Sequence, residues 1–422
     1  MKKLKFGIFG ATRGLSFALN SLFEHPLAEV SAICDCSGEL LHNVRSELDR
    51  KGIHPSYFTD FDDLLKSGID ALIIANYAND HARFAVRAME NGIHVLSECI
   101  PVQIPAEGVQ LCEAVEKSGK IYQYAENYCF CEQTLEMRRR YRQGDIGEAA
   151  AIECSFINDC SGRWNLLTRG LRNHWRNHVP STFYCTHSIG AMLYVTGLRP
   201  TMVSGIETPL LPYMKKHGAR SGSAAMEIMK LENGAFARSM NGNLKHPYQL
   251  GIRLFGTKGS MEHELGNLHV FLENEDEKSF REENYAPSLR ILDPERAAKT
   301  TFSLDRGTIF LLEAFIRSIL GDREALQLGI DVYSALDMAL PGYFAYRSIL
   351  QGGIPLPVPD FRDPGIRENF RNEHSCTDPA VAGDALLPSC SSSDAPVPDA
   401  VYEKEAALYD DYLKHSFHLG FN

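Results

Sequence analysis

Two groups of residues in this 422-residue chain have types and spacings suited to chemistry. The first is the turn Gly10-Ala11-Thr12-Arg13-Gly14, which follows the apolar run Leu4–Phe9 and leads into a helical pattern from Ser16. A strand, a tight turn and a helix N-terminus in that order converge backbone N–H groups on one point, a ready site for a diphosphate. The next strand-like run, Ala28–Asp35, ends in an acid. An acid about 20 residues beyond the glycine turn is placed to accept hydrogen bonds from ribose hydroxyls. Asp35 repels a 2′-phosphate and Cys36 supplies no compensating cation, so the pair favours NAD over NADP. The turn lacks the middle glycine of Gly-x-Gly-x-x-Gly and alone also fits a purely structural turn; the acid in register selects nucleotide binding.

The second group is polar and aromatic. Arg163-Trp164 and the run Asn173–His178 contain both tryptophans of the chain. An aromatic face covers the apolar carbons of a pyranose and planar donors pair with its hydroxyls, so Trp164, Trp175, His174 and His178 are candidate carbohydrate binders; a solvated loop is the alternative. His174 and His178 stand four apart, but no third ligand lies in clear register, and no metal is expected. His187 heads the apolar helical run Ser188–Val195. A histidine there is either a core residue bonded to a backbone carbonyl or a general base that titrates near working pH. Tyr184, three residues earlier, shares its helical face, either as a donor to a sugar oxygen or as a packed ring. Lys245, His246 and Tyr248 are weaker candidates for the same pocket.

These residues need a frame. Apolar runs at Leu4–Phe9, Ala28–Asp35, 71–75, His94–Ser97 and 121–124 alternate with helical patterns, which predicts a parallel, doubly wound sheet of five strands. Ligands in such sheets sit beyond the carboxyl ends of the strands. That singles out Asn76 to His81, Glu98 to Pro101 and Glu126 to Tyr128 beside the glycine turn. From about residue 133 the pattern changes to a helix and then alternating strands at 149–158, 201–208, 224–231, 235–241, 248–256 and 260–264. They predict an open, mostly antiparallel sheet with turns at Asn233-Gly234 and Thr257-Lys258-Gly259. Helices return at 307–320 and 331–350, the second expected to pack on the first domain. The fold class is therefore α/β: a Rossmann domain over 1–125, an α/β substrate and oligomerisation domain over 126–355, and a C-terminal extension over 356–422. Within the extension, 381–400 reads as a flexible linker and 403–416 as an amphipathic helix.

Composition narrows the function. The formal net charge of -11, with no long basic run, argues against nucleic acid as a partner. No apolar stretch reaches the length of a membrane span. Lys2, Lys3 and Lys5 precede a strand and a glycine turn rather than a signal-peptide core, so a cytoplasmic protein is expected. The eleven cysteines are scattered, without a Cys-x-x-Cys pair, and read as reduced thiols.

Taken together, Gly7–Gly14, Asp35, Ile74–His81, His94–Glu98, Ala125–Tyr128, Asp145–Gly147 and Gly256–Gly259 resemble the Gfo/Idh/MocA oxidoreductases over roughly residues 4 to 355. That family joins an NAD(P)-binding Rossmann domain to an open-sheet α/β domain. Its Glu-Lys-Pro motif, whose lysine commonly acts as acid/base or substrate binder, reads Glu98-Cys99-Ile100-Pro101 here, and its usual acid four residues before the histidine is Phe183. In the first respect, in Glu126-Asn127-Tyr128 and in Tyr184-Cys185-Thr186-His187, the chain is similar to a subgroup that includes NAD-dependent α-N-acetylgalactosaminidases and other redox glycosidases, while Phe183 is a further departure. The resemblance implies that Gly10, Ala11, Thr12, Arg13, Gly14, Asp35, Asn76, His81, Glu98 and Asn127 hold NAD. It also implies that His187 and Tyr184 are catalytic, and that Tyr128 joins the tryptophans and histidines at the substrate. The implied activity is NAD-dependent hydride transfer at a ring secondary alcohol of a sugar or glycoside. The alternative is a redox-neutral glycosidase, in which oxidation at carbon 3 acidifies carbon 2, the aglycone leaves, water adds and hydride returns. An NAD-responsive regulator is a third reading. A homo-oligomer is also implied.

Overall fold

Hydrophobic runs of four to six residues set the first sheet. The structure, a computed structural model, describes residues 2–19, 21–247, 249–264, 266–288, 303–392 and 396–417; Tyr248 lies outside the described residues. The chain divides into two compact units, Met1–Asn127 with Arg290–Ala335 and Asp410–Asn422, and Tyr128–Leu289 with Leu336–Tyr409.

In the first unit, β1 (Leu4–Phe9), β2 (Ala28–Cys34), β3 (Ser56–Phe58), β4 (Ala71–Ile74), β5 (His94–Ser97) and β6 (Tyr122–Tyr124) form a parallel sheet in the order 3-2-1-4-5-6. All four residues of β4 are buried, as a strand covered on both faces requires. The helices α1 (Arg13–Leu19), α2 (Gly38–Arg50), α3 (Phe61–Leu65), α4 (His81–Glu90) and α5 (Pro105–Ser118) supply the crossovers. The sheet has six strands where the apolar pattern showed five. The added strand, Ser56-Tyr57-Phe58, is short, half exposed and at the edge, so it carries no apolar run. A second difference concerns the helix that returns. Ser303–Ile319 packs on this sheet, with Phe315 edge-on to Phe6 at 6.1 Å and Glu313 3.0 Å from His25 Nε2. Most of Val332–Leu350 instead belongs to the second unit.

The second unit is a nine-stranded sheet in which only β7 (Ala149–Ile157) and β10 (Phe236–Gly242) pair in parallel. The other strands are β8 (Pro200–Glu207), β9 (Ala224–Leu231), β11 (Gln249–Gly256), β12 (Gly259–Glu264), β13 (Asn267–Glu273), β14 (Phe280–Tyr285) and β15 (Leu356–Pro357). Strict alternation puts Ala225, Glu227, Met229 and Leu231 of β9 on a buried face. The helices α6 (Glu132–Arg142) and Thr186–Thr196 lie in this unit.

The described part of the 381–400 segment packs rather than hangs free. Ser389 and Cys390 are buried, Tyr346 Oη donates to Pro388 O, and Ser391 N donates to Glu207 Oε1 at 2.6 Å. The terminal helix Asp399–His415 buries Tyr402 and Glu405. Gly170, with φ of +63°, lies so close to it that a Cβ would sit 2.1 Å from Ala406 N. No helix among the described residues is long and apolar enough to cross a membrane.

Candidate active site

The glycine turn is built by backbone constraints. Gly10 has φ of +98°, and a Cβ there would stand 2.3 Å from Ala75 O, so the residue must be glycine. Gly10 N donates to Cys34 O and Ala11 N donates to Asp35 Oδ2, both at 2.9 Å. Asp35 Oδ1 accepts the Ser37 N–H at 3.0 Å. The buried carboxylate thus fixes the turn through both of its oxygens. Thr12 and Arg13 are exposed where α1 begins, and Gly14 is buried beneath them. Arg13 Nε pairs with Glu98 Oε1 at 2.7 Å, tying the turn to the end of β5.

At the end of β4, Asn76 Oδ1 is buried with no hydrogen-bond partner among the described residues. An acceptor left over beside a glycine turn and its acid fits a dinucleotide, whose hydroxyls and carboxamide are donors. His81, by contrast, is turned into the protein. Its Nδ1 lies 2.8 Å from Glu98 O and 3.0 Å from Ile100 O, and its Nε2 lies 3.3 Å from Asn76 O. Burial lowers its pKa. It braces the ends of β4 and β5 rather than presenting a ring to a ligand, which corrects the expected direct contact. Cys99 stands where the related motif has lysine. Burial first, then Glu126 and Glu98, raise its pKa well above the usual thiol value, and its Sγ donates to Glu126 Oε2 at 3.3 Å. A neutral thiol cannot take over the role of an ammonium. Asn127, also buried, closes the first unit.

In the second unit, Tyr128, Phe156 and Tyr184 surround His187. Their ring centroids lie 4.8, 4.7 and 5.3 Å from the imidazole. Tyr184 and His187 are half-buried, on the turn Phe183–Cys185 and the first turn of the Thr186–Thr196 helix. Behind them Trp175 stacks on Tyr184 at 6.4 Å, and the Arg176 guanidinium lies 4.6 Å from the Trp175 ring and 5.3 Å from that of Tyr184. An imidazole, a phenol, a guanidinium and aromatic faces therefore share one surface. They suit a polyhydroxylated ring with apolar C–H faces. Phe156 was not singled out in the sequence, although β7 alternation puts it on the inner face; Arg176 was one member of a polar run.

Three expected sugar contacts serve packing instead. Trp164 is buried against Met214 and Ala219, and its Nε1 donates to Asn177 Oδ1 at 2.9 Å. His174 Nδ1 accepts the Arg176 N–H, and burial with the nearby Arg176 and Arg169 charges pushes its pKa down to about 3. His178 is buried 3.4 Å from Ser389 Oγ, and burial and then Arg220 lower its pKa. Lys245 is committed to Asp159 and Ser161, each at 2.8 Å, and His246 is exposed.

The strand order, the glycine turn and the acid after β2 define the first unit as a dinucleotide-binding Rossmann domain. Residues 4–126 match the Gfo/Idh/MocA family described as "Oxidoreductase family, NAD-binding Rossmann fold", and the protein is an NAD-dependent oxidoreductase by that domain. A glycosyl hydrolase family 109 protein of Stenotrophomonas maltophilia is 23% identical, across 85% of this chain and 89% of that protein. The alpha-N-acetylgalactosaminidase of Bacteroides fragilis is 23% identical, across 79% and 86%. Levoglucosan dehydrogenase in complex with NADH and levoglucosan superposes with a TM-score of 0.69 at 18% identity, covering 85% of this chain and all of that one.

Proposed function

We propose that the protein oxidises a ring secondary alcohol of a sugar or glycoside with NAD. The observation that carries this reading is the half-buried His187 set among Tyr128, Phe156 and Tyr184, with Arg176 and Trp175 behind. His187 takes the hydroxyl proton, Tyr184 donates to a neighbouring sugar oxygen, and Arg176 pairs with hydroxyls. Bound NAD supplies the hydride acceptor, held by the Gly10–Gly14 turn, Asp35, Asn76, Glu98 and Asn127. Tyr128 and Trp175 line or back the sugar subsite.

A second reading is favoured by the kinship with glycosyl hydrolase family 109 proteins across most of the chain. In it, oxidation is the first half of a redox-neutral glycoside hydrolysis. Cys99 in place of lysine suits either route, because both then rely on the groups around His187. A reducing, cytoplasmic setting is part of the same reading. We also propose a homo-oligomer.

The test is incubation with NAD and a panel of sugars and aryl glycosides, following absorbance at 340 nm together with aglycone release. Net NADH supports the dehydrogenase. Aglycone release at catalytic NAD without net NADH supports the glycosidase. Neither signal, with NAD bound, returns the protein to the regulator reading.

A further inference from the structure

The stretch that builds the His187 surface is positively charged, in a protein of formal net charge -11. From Cys160 to Ile206 there is no aspartate, glutamate or lysine, and there are five arginines: Arg163, Arg169, Arg172, Arg176 and Arg199. The acids at its two ends are engaged elsewhere. Asp159 holds Lys245, and Glu207 accepts from Ser181 Oγ and Ser391 N. Acids from outside the stretch reach Arg172, which pairs with Asp399, and Arg199, which pairs with Asp337 at 3.0 Å. Arg169 lies over the Tyr409 ring at 6.0 Å, and Arg163 is exposed.

Arg176 is the member that meets the site. It is half-buried, with its guanidinium 4.6 Å from the Trp175 ring and 5.3 Å from that of Tyr184. Its backbone N–H donates to His174 Nδ1 at 3.2 Å, but its guanidinium finds no carboxylate and no hydrogen-bond acceptor among the described residues. The Tyr184 ring is also 5.3 Å from the His187 imidazole, so the guanidinium and the base flank one ring. A pyranose lying against that ring can present a hydroxyl to His187 and an exocyclic substituent to Arg176. The uncompensated charge is felt by buried His174, stacked on Trp175 at 5.8 Å. Burial, then Arg176, Arg169 and His178, push His174 down to about 3, and no carboxylate opposes them.

The aromatic faces offset part of the cost of keeping this cation from bulk water. A neutral sugar that covers it removes more of that water and returns only hydroxyl acceptors. A carboxylate returns two parallel, charge-assisted bonds to the planar fork and cancels the charge, while hydroxyls take the remaining N–H groups. We infer that the substrate is an anionic sugar whose exocyclic carbon is a carboxylate, bound with that carboxylate on Arg176 and the hydroxyl to be oxidised on His187. The arginine-rich stretch adds a field that draws such an anion towards the surface. This assignment rests on the proposed function for the oxidised hydroxyl and gives its substrate a chemical class.

Matched aryl glycosides that differ only at carbon 6 test it: glucoside against glucuronide, and galactoside against galacturonide, in both anomers. The NAD-loaded protein is assayed for kcat/KM, and binding of each compound is followed by calorimetry. The acid member of at least one pair should be preferred by about 10-fold or more, and the preference should shrink as ionic strength rises. Arg176→Gln removes the charge and should bring the acid-to-neutral ratio close to one, mainly through KM. Arg176→Lys keeps the charge without the fork and should give an intermediate ratio. NAD affinity reports whether each variant is folded. Equal or better use of the neutral member in every pair, binding of neither member of any pair, or a ratio unchanged in both variants overturns the inference. Acid-selective binding that Arg176→Gln abolishes, without oxidation or aglycone release, supports it and counts against the proposed function. Turnover confined to neutral glycosides does the reverse.

Discussion

Asp35 Oδ2 accepts the Ala11 N–H at 2.9 Å, so the acid proposed to address the ribose also holds the turn proposed to address the diphosphate. In that reading one side chain serves both halves of the dinucleotide. Asp35→Ala removes the acceptor for two backbone N–H groups, at Ala11 and Ser37. Each such loss costs about 1–3 kcal/mol when buried. We expect NAD affinity to fall at least about 10-fold, with a lower melting temperature but a folded chain. Asp35→Asn should recover part of the stability and little of the affinity. Calorimetry and thermal melts check both; unchanged NAD affinity in the Ala variant refutes the ribose contact.

His187 is the assigned base. His187→Ala should lower kcat by about 100-fold or more, with NAD affinity within a few-fold of wild type. Tyr184→Phe keeps the stack on Trp175 and loses only the hydroxyl, so its kcat should fall less, about 10-fold. Steady-state kinetics beside NAD titration separates the two effects. Near-normal turnover in His187→Ala removes the assignment.

The two tryptophans should behave oppositely. Trp164 packs on Met214 and Ala219 and donates to Asn177, so Trp164→Ala should cost about 3–5 kcal/mol of stability. Trp175 backs Tyr184 and Arg176, so Trp175→Leu should raise KM for the sugar with a smaller change in melting temperature. Denaturant melts and kinetics on both variants test this; equal KM effects would return Trp164 to the substrate.

The pH dependence of stability carries a definite sign. Glu227 is raised from the ordinary carboxylate range to about 8, so across that window the folded protein holds a proton that the unfolded chain releases. Stability from this group is present below the ordinary carboxylate pKa and declines as pH rises through about 8. Glu227→Gln does not titrate, so its melting temperature relative to wild type should climb over that window and then level off. A difference independent of pH would show that Glu227 is ionised throughout.

Much of this molecule was legible in the chain, for identifiable reasons. Ala71–Ile74 is apolar throughout because both its faces are covered, and Gly10 is glycine because Ala75 O leaves no room for a Cβ. Such constraints are local and leave local marks. Strands β3, β13, β14 and β15 did not show; of these the edge strands are short or charged, and Phe280–Tyr285 reads Phe-Arg-Glu-Glu-Asn-Tyr, which resembles a solvated loop. His81 was legible as a histidine near a strand end, but its commitment to three backbone carbonyls depends on residues up to nineteen positions away. Trp164 depends on Met214 in the same way. Glu227 sits on the apolar phase of β9, a mark that acquires meaning only once Asn241 is known to donate to its carboxyl group.

The outer face of the second sheet leads to the last prediction. Ile206 on β8, Ile228 on β9 and Phe236 on β10 are each more than half exposed, at 62, 53 and 55%. The register puts Ile206 beside Met226, Ile228 beside Ser204 and Arg238, and Met240 beside Met226, so the apolar residues adjoin across three strands. Farther along the same face, Arg238, Glu153, Arg253 and Glu262 form a ladder of ion pairs. An apolar field beside a charge ladder of both signs is suited to a second copy of itself, because an isologous contact can pair each sign with its opposite. We expect the wild-type protein to run as an oligomer in size-exclusion chromatography with light scattering. Ile206→Glu combined with Ile228→Glu should give a folded monomer with NAD affinity unchanged, since both residues belong to the second unit. A wild-type protein that stays monomeric at high micromolar concentration would refute this interface.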